Sequence, residues 1–173
     1  SGGRFNLGLA AGAGDFLGWV GREQSSPLSA VRETVDVVRR LLAGERAGIG
    51  GRFLNWTEEA YLRFPVEHEI PIYIGATGPK MLELAGEIAD GVLPLLFPPE
   101  HYFTVEPLIA RGVSRRSAEL APLDLAACVW VSVAEDRDRA RRALAEKVAY
   151  YGAALSPLIL ERLGLTQADF EPV

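Results

Sequence analysis

The stretch Gly75-Ala76-Thr77-Gly78-Pro79-Lys80-Met81 has the residue types and spacing to hold an anion. Its small side chains leave backbone amides uncovered between an apolar run and a helical pattern. The first amides of a helix have no intrahelical partners, and the helix dipole places partial positive charge there. Gly78 removes the Cβ that would block close approach, and Pro79 suits the first helical position. Lys80 could add a full positive charge, so a phosphate-bearing ligand at Thr77–Met81 is one reading. The other is a tight strand-to-helix turn whose Gly and Pro serve geometry alone. Spacing leaves both open, and the stretch is neither a P-loop nor a GxGxxG fingerprint.

A second side-chain-poor stretch runs from Ala10 to Gly14 and ends at Asp15. Ala11 and Gly12 could accept the flat face or phosphate of a cofactor; equally, such small residues let a helix pack close. Asp15 and Glu83 are the carboxylates that tempt a catalytic reading. Glu83, however, sits among helical apolar positions and fits an ordinary surface carboxylate, so no catalytic residue is assigned. The two histidines, His68 and His101, are not at metal-ligand spacing, and no metal is expected. Cys128 lies inside the apolar run Leu125 to Val133, which predicts a buried structural thiol rather than a nucleophile.

These residues need a scaffold, and the hydrophobic pattern supplies one. Ile70, Ile72, Tyr73 and Ile74 predict a short buried strand. Met81, Leu82, Leu84, Ala85 and Ile88 predict a helix, Asp90-Gly91 ends it, and Val92 to Leu96 predicts a second strand. That is a βαβ unit with parallel strands. Further strands are expected near 5–10 and 124–133, each followed by helical sequence, which points to one parallel sheet. Phe16 to Gly21 is expected as an aromatic loop at the mouth of the site. Ser26 and Pro27 open a helix whose buried face carries Val31, Val35, Val38, Leu41 and Leu42. His101 to Val113, a segment capped by Asp136, and a short segment from Pro157 also have helical character. Thr166 to Asp169 resembles a further helix start. Residues 47–69, with several glycines and scattered aromatics, are expected as an insertion forming a hairpin or loop.

At 173 residues the chain is one domain's worth, with 49% hydrophobic and 24% charged residues, ordinary for an α/β protein. A net charge of −5 argues against nonspecific nucleic-acid binding. A single cysteine excludes an internal disulfide framework. No apolar run approaches the ~20 residues of a membrane span, and no signal-like start is present, so a cytoplasmic, soluble protein is expected.

The words IPIYIGATGPKMLELAGEIADGVL closely resemble the middle of the luciferase-like monooxygenase superfamily. They are most similar to its branch that uses the deazaflavin coenzyme F-420, which includes methylenetetrahydromethanopterin reductase. Gly3 to Asp15 resembles that family's fourth barrel strand and following loop, and Arg32 to Glu45 a family-typical helix. The resemblance covers most of residues 3–145. It implies an α/β fold forming a partial TIM (β/α)8 barrel, roughly strands four to seven, within one domain over 1–173. It implies hydride transfer between F-420 and a small organic substrate, with FMN-dependent monooxygenation or a non-catalytic half barrel as alternatives. By the same resemblance Thr77, Gly78, Pro79, Lys80 and Met81 would cradle the cofactor phosphate and side chain. Ala11 and Gly12 would lie beside the ring or its ribityl chain, with Gly75 and Ala76 lining the barrel mouth. The full-length form would be a homo-oligomer, without a nucleic-acid or membrane partner. Closure of the barrel would hide inward side chains such as those of Leu7 and Leu9.

Overall fold

Ile72, Ile74 and Ala76 are buried and alternate with the half-buried Tyr73 and Gly75, and that period of two sets which way the sheet faces. The computed structural model describes residues 2–46, 48–96 and 98–170. In chain order the elements are β1 (Leu7–Leu9), α1 (Gly14–Trp19), α2 (Pro27–Leu42), β2 (Ile49–Gly50), β3 (Asn55–Trp56), β4 (Ile72–Ala76), α3 (Pro79–Ile88), β5 (Gly91–Pro94), α4 (Tyr102–Val113), β6 (Asp124–Leu125), α5 (Arg137–Tyr151) and α6 (Pro157–Leu163). Short 3-10 turns at Pro99–His101, Gly152–Ala154 and Gln167–Phe170 link or follow the later helices.

β1, β4, β5 and β6 pair side by side in that order, all parallel. Leu9 aligns with Ile74, and Ile74 with Val92, so these side chains share one face. That face packs on Val31 and Val35 of α2, Leu82, Leu84 and Ala85 of α3, and Val105 and Ile109 of α4. The opposite face carries Gly8, Tyr73, Gly75 and Leu93, which lie outside that buried cluster. Leu7 and Leu9 therefore do not point inward, as the sequence suggested. Their register with Ile72 and Ile74 turns them to the helix side.

Small residues let the helix layer close. A Cβ on Gly86 or Gly112 would collide with the backbone of Ile109 or Glu83, so α3 and α4 cross in direct backbone contact. Asp90 ties three elements at the foot of the sheet. Its carboxylate accepts from the Ile72 amide at 2.8 Å and pairs with Arg39 of α2 at 2.8 Å, while its own amide donates to the Ile72 carbonyl at 2.8 Å. Arg116 donates to the carbonyls of Gly86 and Ala89, satisfying acceptors left at the end of α3, and to that of Ala121 in the loop before β6.

Within 47–69, whose first residue Ala47 lies outside the described residues, β2 and β3 form an antiparallel hairpin. Glu33 of α2 secures it. Its carboxylate accepts from the amides of Arg52, Phe53 and Leu54 at 3.1, 2.9 and 2.6 Å, and the Leu54 bond leads in holding its pKa below the usual range.

Five expectations change. Phe16 to Trp19 belongs to the short helix α1 rather than a loop. Ser26 stands at the N-cap of α2 but is left-handed (φ 47°) and its side chain caps nothing. Thr166 to Asp169 opens a 3-10 turn held by the Asp169 carboxylate on the Thr166 amide (2.6 Å), not an α-helix. The strand expected over 124–133 shrinks to two residues plus a bridge between Leu95 and Cys128. Among the described residues this sheet edge has a strand on one side only, and the buried clusters do not extend over its outer face. Val129, Val131 and Val133 are accordingly 52%, 73% and 90% exposed. Cys128, expected buried, is exposed because it lines an open cavity on the other face of the sheet.

Candidate functional site

A β-strand ending in Gly-Ala and running into an uncapped helix leaves an open shelf, and the fold places two such ends together. Gly75 lies beside Ala10: a Cβ built on Gly75 would stand 3.6 Å from that of Ala10. Above them, at the carboxyl ends of β1, β4 and β5, opens a cavity of about 830 Å³. One wall is backbone-rich: Ala10 to Asp15, then Gly75, Ala76, Thr77 and Gly78. Met81 stands beside Gly78, and the part of the cavity over β5 and the edge strand is lined by Leu93, Leu95, Cys128 and Trp130. Phe16 lines its open rim, its ring 4.7 Å from that of Trp19. On the outer side Lys147 lies 5.2 Å from the Trp130 ring, in cation–π range.

Of the residues named from sequence, Ala11, Gly12, Gly75, Ala76, Thr77, Gly78 and Met81 meet in this cavity. Pro79 and Lys80 do not line it. Lys80 lines a separate groove of about 760 Å³ between α2 and α3, beside Arg32, Glu83 and Glu87. Helical geometry explains the split: successive residues turn by about 100°, so Met81 faces the cavity while Lys80 faces α2. Glu83 lies in the same outer groove. Arg111 donates to its carboxylate at 2.8 Å and, with Arg115, holds its pKa below the usual range. Asp15 does line the cavity, in the first turn of α1.

Gln24 has no sequence signal at all. It lies in a polar loop, yet its side-chain amide donates to the carbonyls of Gly12 at 2.6 Å and Ala11 at 3.3 Å. Tertiary approach across a dozen residues brings it there.

The residues present fit a planar, phosphate-bearing group. No side chain caps the amino end of α3, and a Cβ on Gly78 would meet nothing within 4 Å, so an anion has room against those amides. The side-chain-poor wall can receive a ring face, and the apolar part over β5 can exclude water. Among the described residues no three His, Cys, Asp or Glu side chains converge as a metal site, and no helix is long and apolar enough to cross a membrane.

Residues 1–169 match the family described as luciferase-like monooxygenase. The chain belongs to that family. Among its relatives, the 5,10-methylenetetrahydromethanopterin reductase of Archaeoglobus fulgidus is 37% identical over 96% of this chain and 50% of its own length. The F-420-dependent glucose-6-phosphate dehydrogenase of Nakamurella multipartita is 32% identical over 93% of this chain and 50% of its own. The solved F-420-dependent tetrahydromethanopterin reductase of Methanopyrus kandleri superposes with a TM-score of 0.81 at 28% identity, over 97% of this chain and 53% of that one. This luciferase-like chain thus spans about half the length of the curated relatives it matches. Its α/β fold is a partial TIM barrel: four adjacent parallel strands with helices on one face.

Proposed function

We propose that this luciferase-like chain contributes the cofactor shelf of an F-420-dependent oxidoreductase acting on a small organic molecule. The observation that carries the reading is the meeting of two side-chain-poor strand ends, Ala10–Gly14 and Gly75–Gly78, in a cavity with an apolar part over β5. The relatives' named cofactor supports it. When bound, the deazaflavin supplies hydride chemistry at its C5.

The protein's part is placement. The amide end of α3 at Gly78 takes the phosphate, and Thr77 and Met81 flank it. Ala11 and Gly12 receive one face of the ring, with Gly75 and Ala76 beneath, while Leu93, Leu95 and Trp130 keep water from the part over β5. Pro79 sets the helix start. Lys80, facing the outer groove, contributes at most long-range charge. No residue of this chain is assigned a proton-transfer role. The whole protein is read as a cytoplasmic homo-oligomer, a placement suited to a diffusible cofactor and a small-molecule substrate.

The test is titration of the 173-residue chain with F-420 and, separately, FMN, followed by absorbance. Saturable binding of F-420 alone is expected. Binding of FMN alone makes the FMN-dependent alternative correct, and binding of neither by a folded chain leaves a non-catalytic half barrel.

A further inference from the structure

We propose that Gln24 is a positioning residue for this cavity, setting the direction of the loop amides against which the cofactor rests. The inference builds on the deazaflavin reading above. The Gln24 amide nitrogen donates to both the Ala11 and Gly12 carbonyls. A peptide unit is planar and its C=O and N–H point opposite ways. Fixing those two carbonyls therefore fixes the N–H vectors of Gly12 and Ala13.

The loop needs such a brace because it has no side chains of its own to hold it. Gly12 sits at φ +74°, a region that glycine enters freely and can leave as freely. The next anchor beyond it is the Leu17 amide on the Ala13 carbonyl, at 3.0 Å. The exposed segment that delivers Gln24 ends at Ser26, at φ +47° the non-glycine residue with positive φ among those described. Such a conformation persists only where the surroundings over-determine it. Pro27, next in the chain, lines the same cavity and starts α2, so the segment is fixed at its far end too.

The experiment compares wild-type chain, Gln24→Ala and Gln24→Glu, with Gly78→Val as a variant that blocks the phosphate shelf directly. F-420 affinity is read by fluorescence titration, and amide exchange over residues 10–14 is read in the free chain. Gln24→Ala is expected to weaken binding about fivefold, the scale of one neutral hydrogen bond. Gln24→Glu is expected to weaken it about tenfold or more, because a carboxylate cannot donate and faces two carbonyl oxygens. Both should speed exchange at 10–14 without lowering the thermal midpoint. If both Gln24 variants bind like wild type while Gly78→Val loses affinity, the role given to Gln24 is wrong. If wild type binds no F-420, the deazaflavin reading fails, and exchange decides Gln24 alone: unchanged rates overturn its positioning role, and faster rates support it.

Discussion

β4 and β5 each have a strand on both sides and helices packed over their outer face, whereas β6 is an edge strand outside the buried cluster they form. In the first region Ile72, Ile74, Val92, Leu82 and Ala85 are fully buried and α3 and α4 meet backbone to backbone. In the second, α5 buries none of its residues, and the apolar side chains at 129, 131 and 133 stand in solvent. What is buried there is a small satellite of Leu155, Ile159 and Leu160, gathered under α6 against Leu95 and Trp130. Apolar sequence makes a core only where a second layer is available to receive it.

The sharpest way to break that contrast is at the helix crossing. Gly112→Val forces a side chain into the Glu83 backbone, and overpacking of a contact that cannot yield should destabilise the chain by about 3 kcal/mol or more, read as a fall in the urea midpoint. Leu160→Ala probes the satellite. It should cost about 2 kcal/mol, the low end for a buried leucine, and should melt α6 before the β4 region in hydrogen exchange. A loss as large as that of Gly112→Val, with both regions opening together, would show one cooperative unit instead of two.

His101 joins the regions. It is 1% exposed at the start of α4, its Nδ1 lacks a hydrogen-bond partner among the described residues, and Arg162 of α6 reaches Thr104 of α4 at 2.8 Å. Burial, then the nearby Arg162 charge, pushes the imidazole below its ordinary 6.5. A base with a depressed folded pKa contributes stability above its unfolded value and loses it as pH falls through that value towards the folded one. The chain should therefore weaken from about pH 6.5 downward, before the arginine-paired carboxylates of Glu83 and Glu87 protonate below 4.5. His101→Phe should flatten that slope in urea titrations at pH 7.5 and 5; an unchanged slope would place its origin elsewhere. The smallest effect belongs to the open strand: Val131→Thr, at 73% exposure, should change stability by no more than about 0.5 kcal/mol.

The same contrast explains what the sequence made legible. The strand, turn and helix over residues 70–88 are locally consistent: β-branched residues alternate, Gly78 and Pro79 mark the turn, and Asp90 ends the unit. Seven of the nine shelf residues named from sequence meet in one cavity because they lie at two adjacent strand ends. Lys80 stands outside that cavity because charge and proximity along the chain do not give the helical phase that sends Met81 one way and Lys80 another. Gln24 was invisible because its contact depends on how two loops cross. Residues 124–133 looked buried because hydropathy records what a segment would bury, not whether a neighbour stands over it.

Tyr73 ties β4 to the edge strand β6 in a way that composition does not suggest. Its ring occupies the space that a side chain on Gly91 would fill, and its hydroxyl crosses β5 to bond the Asp124 carboxylate at the start of β6. Side chains alternate along a strand, so this tie, with the backbone bonds of Asp124, Ala126 and Cys128 to β5 and its flanks, fixes the phase of everything downstream on the edge. With Asp124 under Tyr73, Cys128 and Trp130 face the cavity at the far end. Sliding the strand by one residue would offer Leu123 or Leu125 to the hydroxyl and turn Ala127, Val129 and Val131 inward instead. The chemistry of the upper wall is thus keyed by a phenol at the bottom of the sheet, out of reach of anything bound there.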